Sequence, residues 1–118
     1  MDEYLEKGIL NEHTIVVSRC LGSRFILKYL AAKNIRIKAI ISIAAILDDY
    51  VGVPETDKAF KDFHVSEEEI DKSINCVDNR YAIYGDKDYL SDVSKLEDFA
   101  IKTKSKKIFV PGMGHCGN

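Results

Sequence analysis

Thr14-Ile15-Val16-Val17-Ser18-Arg19-Cys20-Leu21-Gly22 is the stretch whose reading decides the fold. The β-branched run Thr14–Val17 favours a strand. It gives way to a small residue, a thiol and a glycine, after which the spacing becomes helical from Gly22 to Lys33. A strand that turns sharply into a helix through a nucleophilic side chain is the layout of a nucleophile elbow. Such a turn exposes the side chain at its tip, here Cys20. It also sets that side chain near the positive end of the following helix, which favours the thiolate.

Working outward, Phe25, Ile26, Tyr29 and Leu30 make one apolar face between Arg24, Lys28 and Lys33, and Asn34 is a natural stop. Lys38 to Ala45 is a continuous isoleucine-rich run, expected of a parallel strand. Asp48 to Phe63 is irregular and contains Gly52 and Pro54. Ser66-Glu67-Glu68-Glu69 has capping-box spacing and opens a helix to about Ser73. Arg80 to Tyr84 reads as a strand and Asp92 to Lys102 as a helix with Val93, Leu96, Phe99 and Ala100 inward. Lys107 to Val110 is a last strand, stopped by Pro111-Gly112. Before the elbow, Asp2 to Asn11 has roughly helical spacing, weakened by Gly8. Strands alternating with helices imply a parallel sheet of four strands in a three-layer α/β/α sandwich, one domain over residues 1–118. In such sheets functional groups gather beyond the carboxyl ends of the strands. Cys20, Asp88 and His115 each fall just past one.

The 118 residues are 46% hydrophobic and 31% charged, as in an ordinary globular domain, and the net charge of -2 argues against a nucleic-acid footprint. Lys102, Lys104, Lys106 and Lys107 cluster, but a cationic helix end accounts for them. The longest apolar run, Ala39 to Leu47, is too short to span a membrane, and the acidic amino terminus lacks a signal peptide's layout. The three cysteines, Cys20, Cys76 and Cys116, form neither a CxxC pair nor an even disulfide set, so a reducing, cytoplasmic setting is expected. His13 and His64 stand apart from cysteines and carboxylates at ligand spacing, so no metal site is expected. Asp48-Asp49 reads as a solvated loop. Without a Gly-rich phosphate loop, no nucleotide or other cofactor is expected either.

In the chemistry this order suggests, Cys20 is a nucleophile, His115 its general base and acid, and Asp88 the carboxylate that orients the imidazole. The backbone N–H of Leu21 supplies one oxyanion donor. Alone, Cys20 reads more readily as a small buried hydrophobe; the elbow context reverses that preference in favour of an exposed position. Asp86 competes with Asp88 for the acid role, and both also suit a turn. Asp88 stands further beyond the strand end, and Asp92 suits the N-cap of the next helix. Cys116 is either a packing residue or a second thiol able to pair with Cys20.

These motifs resemble the small α/β-hydrolases of the retinoblastoma-binding protein 9 and YdeN type, with a Gly-His-Ser-x-Gly elbow, a Gly-x-x-Asp acid loop and a terminal Gly-His segment. The matching stretches are Ser18-Arg19-Cys20-Leu21-Gly22, Gly85-Asp86-Lys87-Asp88 and Gly114-His115-Cys116-Gly117-Asn118, and the likeness runs from about Thr14 to Asn118. It implies a truncated α/β-hydrolase fold acting on esters or amides, with Cys20, Asp88 and His115 as triad. With a thiol as nucleophile, the expected small-molecule substrate is an ester or thioester, turned over weakly if at all. The chain differs from that pattern in having Cys20 for serine, Ser18 for glycine and Arg19 for histidine, the last a contact for a thiolate or an anionic substrate. The family's opening strand and its oxyanion loop are also expected to be missing, and losing one oxyanion donor costs about 10²–10³ in rate. The elbow strand then becomes a sheet edge, to be covered by the amino-terminal segment or a second copy. A non-catalytic binding or oligomerisation module is the alternative reading.

Overall fold

A computed structural model describes residues 8, 10–19, 22–47, 64–88 and 92–114. The β-branched run forms β1 (Ile15–Arg19), which continues past Val17 through Ser18 and Arg19. The elbow helix α1 (Gly22–Lys33) has the expected bounds. Its inward face does not. Leu27 is buried with Ile26 and Leu30, whereas Phe25 is 43% exposed and stacks on Tyr29. Arg24, expected on the polar flank, is only 1% exposed, because its Nε donates to the Ile46 carbonyl at 2.8 Å. The helix ends on Asn34 in the left-handed region (φ 52), whose N–H returns to the Leu30 carbonyl.

The isoleucine run forms β2 (Ile37–Ile43), and the capping box starts α2 (Glu67–Asn75). Ser66 Oγ accepts from the Glu69 N–H while the Glu69 carboxylate accepts from the Ser66 N–H, both at 3.1 Å. The next strand, β3 (Val77–Gly85), begins well before Arg80. Its polar opening is held by partners rather than by burial: Asp78 pairs with Arg36, and Asn79 Nδ2 donates to the Lys38 carbonyl. Helix α3 (Val93–Lys102) starts after Asp92, which holds the N-cap position without a side-chain capping bond, and β4 (Lys106–Val110) closes the order. The segment Asp2–Asn11 lies outside the described residues except at Gly8, Leu10 and Asn11; there Asn11 Nδ2 donates to the Gly8 carbonyl in a turn.

All four strands are parallel, in the order β1-β2-β3-β4. Right-handed crossovers between successive neighbours put successive helices on one face. The packing agrees: Ile26, Leu27 and Leu30 of α1, Ile70 of α2 and Phe99 and Ala100 of α3 share one core with Ile40 and Ala82 of the sheet. The described residues thus supply the sheet and one helical layer of the sandwich. On the opposite face the register aligns Arg19, Ile43, Ile83 and Ile108 in one row, and Val17, Ile41, Tyr81 and Lys106 in another. Among the described residues no helix is long and apolar enough to cross a membrane.

Helices α1 and α2 are tied by Lys28, whose Nζ reaches Glu69 Oε2 at 3.1 Å and the His64 carbonyl at 2.7 Å. Burial pushes the Glu69 carboxyl up, but the Ser66 N–H and Lys28 outweigh it and leave the group below its ordinary value. A depressed carboxylate contributes stability that is present above its unfolded value and lost as pH falls through the folded one. Glu69→Gln is therefore expected to be less stable than the parent at pH 7 and to lose less on acidification below about pH 4.5. Unfolding midpoints at the two pH values check this; parallel losses in both proteins would remove Glu69 from the account.

Candidate active site

In a parallel sheet the carboxyl ends of the strands share one edge, here formed by Arg19 of β1, Ile43 of β2, Gly85 of β3 and Val110 of β4. Each candidate residue follows one of these ends. β1 stops at Arg19 and α1 begins at Gly22, so Cys20 and Leu21 occupy the junction between strand and helix. Those two residues, together with His115 and Cys116, lie outside the described residues, as do Asp48 and Asp49. Their neighbours define the frame.

At the elbow, Ser18 and Ser23 are both buried and their hydroxyls meet at 2.9 Å across the turn. Ser18 lies within the β1 ladder opposite Ser42, on extended backbone. A Cβ at this position therefore carries no left-handed strain, and its hydroxyl is used to staple the strand end to the first turn of α1. Arg19 is exposed and pairs in register with Ile43, at the end of the sheet face opposite the helices. Arg24, one residue after Ser23, ties the same helical turn to the segment following β2. That segment contains backbone strain: buried Ala44 sits at φ 52, where a Cβ crowds the following carbonyl. Its N–H donates to the Ile83 carbonyl at 2.9 Å, which holds it there.

The loops after β3 and β4 are built against each other. The Lys87 N–H donates to the Met113 carbonyl at 3.1 Å, and the Gly112 N–H donates to Asp86 Oδ1 at 2.7 Å. Gly112 adopts φ 79, a conformation that suits glycine. Gly85 makes the close approach possible. A Cβ there would stand 2.3 Å from the Met113 carbonyl oxygen, 2.5 Å from Met113 Cβ and 2.8 Å from the Val110 carbonyl oxygen. The two carboxylates that compete in the sequence are thereby distinguished. Asp86 is exposed and engages the turn that leads to His115, while Asp88 is half-buried further along its loop.

A groove of about 200 Å³ is lined by Leu47, His64, Val65, Ser66, Glu67, Ile70 and Lys102, none of which belongs to the loops after β3 and β4. Elsewhere Cys76 is buried, its thiol donating to the Leu30 carbonyl at 3.6 Å, and burial pushes that thiol's pKa up. Ser23, Arg24 and Met113 had no motif to mark them, whereas Asp86 stood in the acid-loop motif as a competitor of Asp88 for the acid role or a turn former. The small residues on both sides of the elbow gave the other hint.

Four parallel strands alternating with helices, with the loops after β3 and β4 built against each other at the carboxyl edge, form a frame of the α/β-hydrolase-like class of folds. Solved structures support that fold. The chain is similar to the ydeN gene product of B. subtilis, with a TM-score of 0.76 and 21% identity over 96% of this chain and 60% of that one. It is also similar to a meta-cleavage product hydrolase of Pseudomonas fluorescens, with a TM-score of 0.64 and 10% identity over 94% of this chain and 61% of the other. The chain thus spans about three fifths of the length of either structure. In sequence it matches no protein-family profile and no curated protein.

Proposed function

We propose that the chain carries a hydrolase site for small esters or thioesters, with Cys20 as nucleophile, His115 as general base and acid, and Asp88 as the carboxylate orienting the imidazole. The observation that supports it most is the clasp between the acid loop and the histidine turn, because it brings two of the three site-bearing loops together at the strand ends. In the proposed reaction His115 takes the Cys20 proton and the thiolate adds to the substrate carbonyl carbon. The Leu21 N–H receives the developing oxyanion. The C–O or C–S bond then breaks, the leaving group takes the proton from His115, and an acyl-thioester remains on Cys20. Water, deprotonated by His115, cleaves that thioester; the acid departs and the thiol is restored. Arg19, exposed at the end of β1, is the proposed contact for the thiolate or an anionic substrate. The thiol chemistry fits a reducing, cytoplasmic setting.

Alkylation tests the reading. With limiting iodoacetamide near neutral pH, Cys20 is expected to react at least about tenfold faster than the buried Cys76, and His115→Ala to remove most of that advantage. Peptide mass spectrometry resolves the sites. Equal, slow labelling of both thiols would sink the proposal.

A second reading, a binding or oligomerisation module, is favoured by one feature. Among the described residues β1 is a sheet edge, and its Ile15 and Val17 are 54% and 60% exposed. The occupant we propose is a second copy. A two-fold axis through Val17 would pair the short strand with itself, setting Val17 against its own counterpart and Ile15 against Arg19. Sedimentation is expected to give a dimer for the parent and a monomer for Val17→Lys. A monomeric parent removes this reading.

A further inference from the structure

We propose that Asp86 is a positioning residue, whose carboxylate holds the Pro111–Gly114 turn in the register that presents His115 to Cys20. The inference rests on the hydrolase-site reading and adds a residue to it. Its basis is the geometry of the clasp. Asp86 Oδ1 accepts from the Gly112 N–H at 2.7 Å, the short distance of a charge-assisted bond. Gly112 is at φ 79, so the turn changes direction at the residue Asp86 grips. The Lys87 N–H binds the Met113 carbonyl on the other side of the same turn, and the Met113 N–H returns to the Val110 carbonyl at 3.2 Å. Gly85 against Met113 leaves the turn no room to move inward. Backbone bonds thus hold Met113, while the outer limb at Gly112 is held by the Asp86 side chain. His115 comes three residues after Gly112. Small rotations at Gly112 therefore shift the backbone that leads into His115, and a base misplaced by about 1 Å loses much of its effect.

Two substitutions separate the grip from the charge. Asp86→Asn keeps an acceptor oxygen for Gly112 but removes the negative charge, whereas Asp86→Ala removes both. Loss of a nearby negative charge alone favours the thiolate, so an effect of field would speed Cys20 alkylation in both variants alike. Loss of grip slows it in Asp86→Ala only. The readouts are the iodoacetamide rate at Cys20 and amide exchange at Gly112, measured on the full chain. We expect Asp86→Ala to slow alkylation by roughly tenfold, the scale of one charge-assisted hydrogen bond, and to speed Gly112 exchange. Asp86→Asn should stay within about twofold of the parent in both, since neutral acceptors retain much of such a bond. Because Asp86 is exposed, neither change empties a core site. Equal alkylation rates in the two variants would overturn the proposal. His115→Ala separates the layers: if it slows alkylation and Asp86→Ala does not, the grip alone is wrong. If neither slows it, the site reading falls and the grip with it.

Discussion

Replacing Gly85 by Ala is expected to lower stability by about 3 kcal/mol, the upper end for forced overpacking. Thermal unfolding should register this as a fall of roughly 10 °C or more, at about 4 °C per kcal/mol for a domain of this size. The added Cβ has nowhere to go. Two of its three nearest contacts would be backbone carbonyl oxygens, of Met113 at 2.3 Å and Val110 at 2.8 Å, and the third is Met113 Cβ. All are fixed to the main chain and unable to swing aside as a flexible side-chain end can. Relief requires the turn after β4 to lift away from the end of β3. That movement breaks the bonds from Lys87 to Met113 and from Gly112 to Asp86 together. The variant should therefore lose the selective alkylation of Cys20 at temperatures where it remains folded. If Gly85→Ala unfolds within a degree or two of the parent, the close approach of the two loops is wrong.

The second large effect is expected at Arg24. Its side chain is buried in the first turn of α1 and donates to the Ile46 carbonyl across a separation of 22 residues. Arg24→Ala leaves that buried carbonyl short of its donor and opens a cavity the size of an arginine stem. Together these should cost about 3–5 kcal/mol. Arg24→Lys keeps the charge but replaces the fixed guanidinium fork by a single ammonium on a different reach, and should fall between the two. Urea unfolding with an unchanged m-value is the measurement. A cost below about 1 kcal/mol for Arg24→Ala would mean that the carbonyl finds water or another donor, and that the tie between the elbow helix and the end of β2 is dispensable.

The helical content was legible wherever short-range rules decide it. The capping box at Ser66 and Glu69, the stop at Asn34 and the bounds of α1 all follow from residues within a turn of each other. Periodicity put Ile26 and Leu30 of α1 inward, as they are, but erred on their neighbours. Arg24 looks like a surface residue until the end of β2 supplies a carbonyl for it, and Phe25 looks like core until Leu27 takes the inward place. β3 was read too short for a related reason. Asp78 and Asn79 are polar, and their place in the ladder is secured by Arg36 and the Lys38 carbonyl, partners more than 40 residues away.

The sequence by itself determined the order of strands and helices, the parallel sheet, and the placement of Cys20, Asp88 and His115 just beyond strand ends. These depend on side-chain period, β-branching and caps, all local properties. Only the tertiary structure decided which aspartate grips the histidine turn, why residue 85 is glycine, and how Ser18 fits an elbow position where the resembled family has glycine. Each of those rests on contacts made after the sheet register is set. Asp86 and Gly112 are 26 residues apart and meet only because β3 and β4 are neighbours in parallel register, with Gly85 opposite Val110.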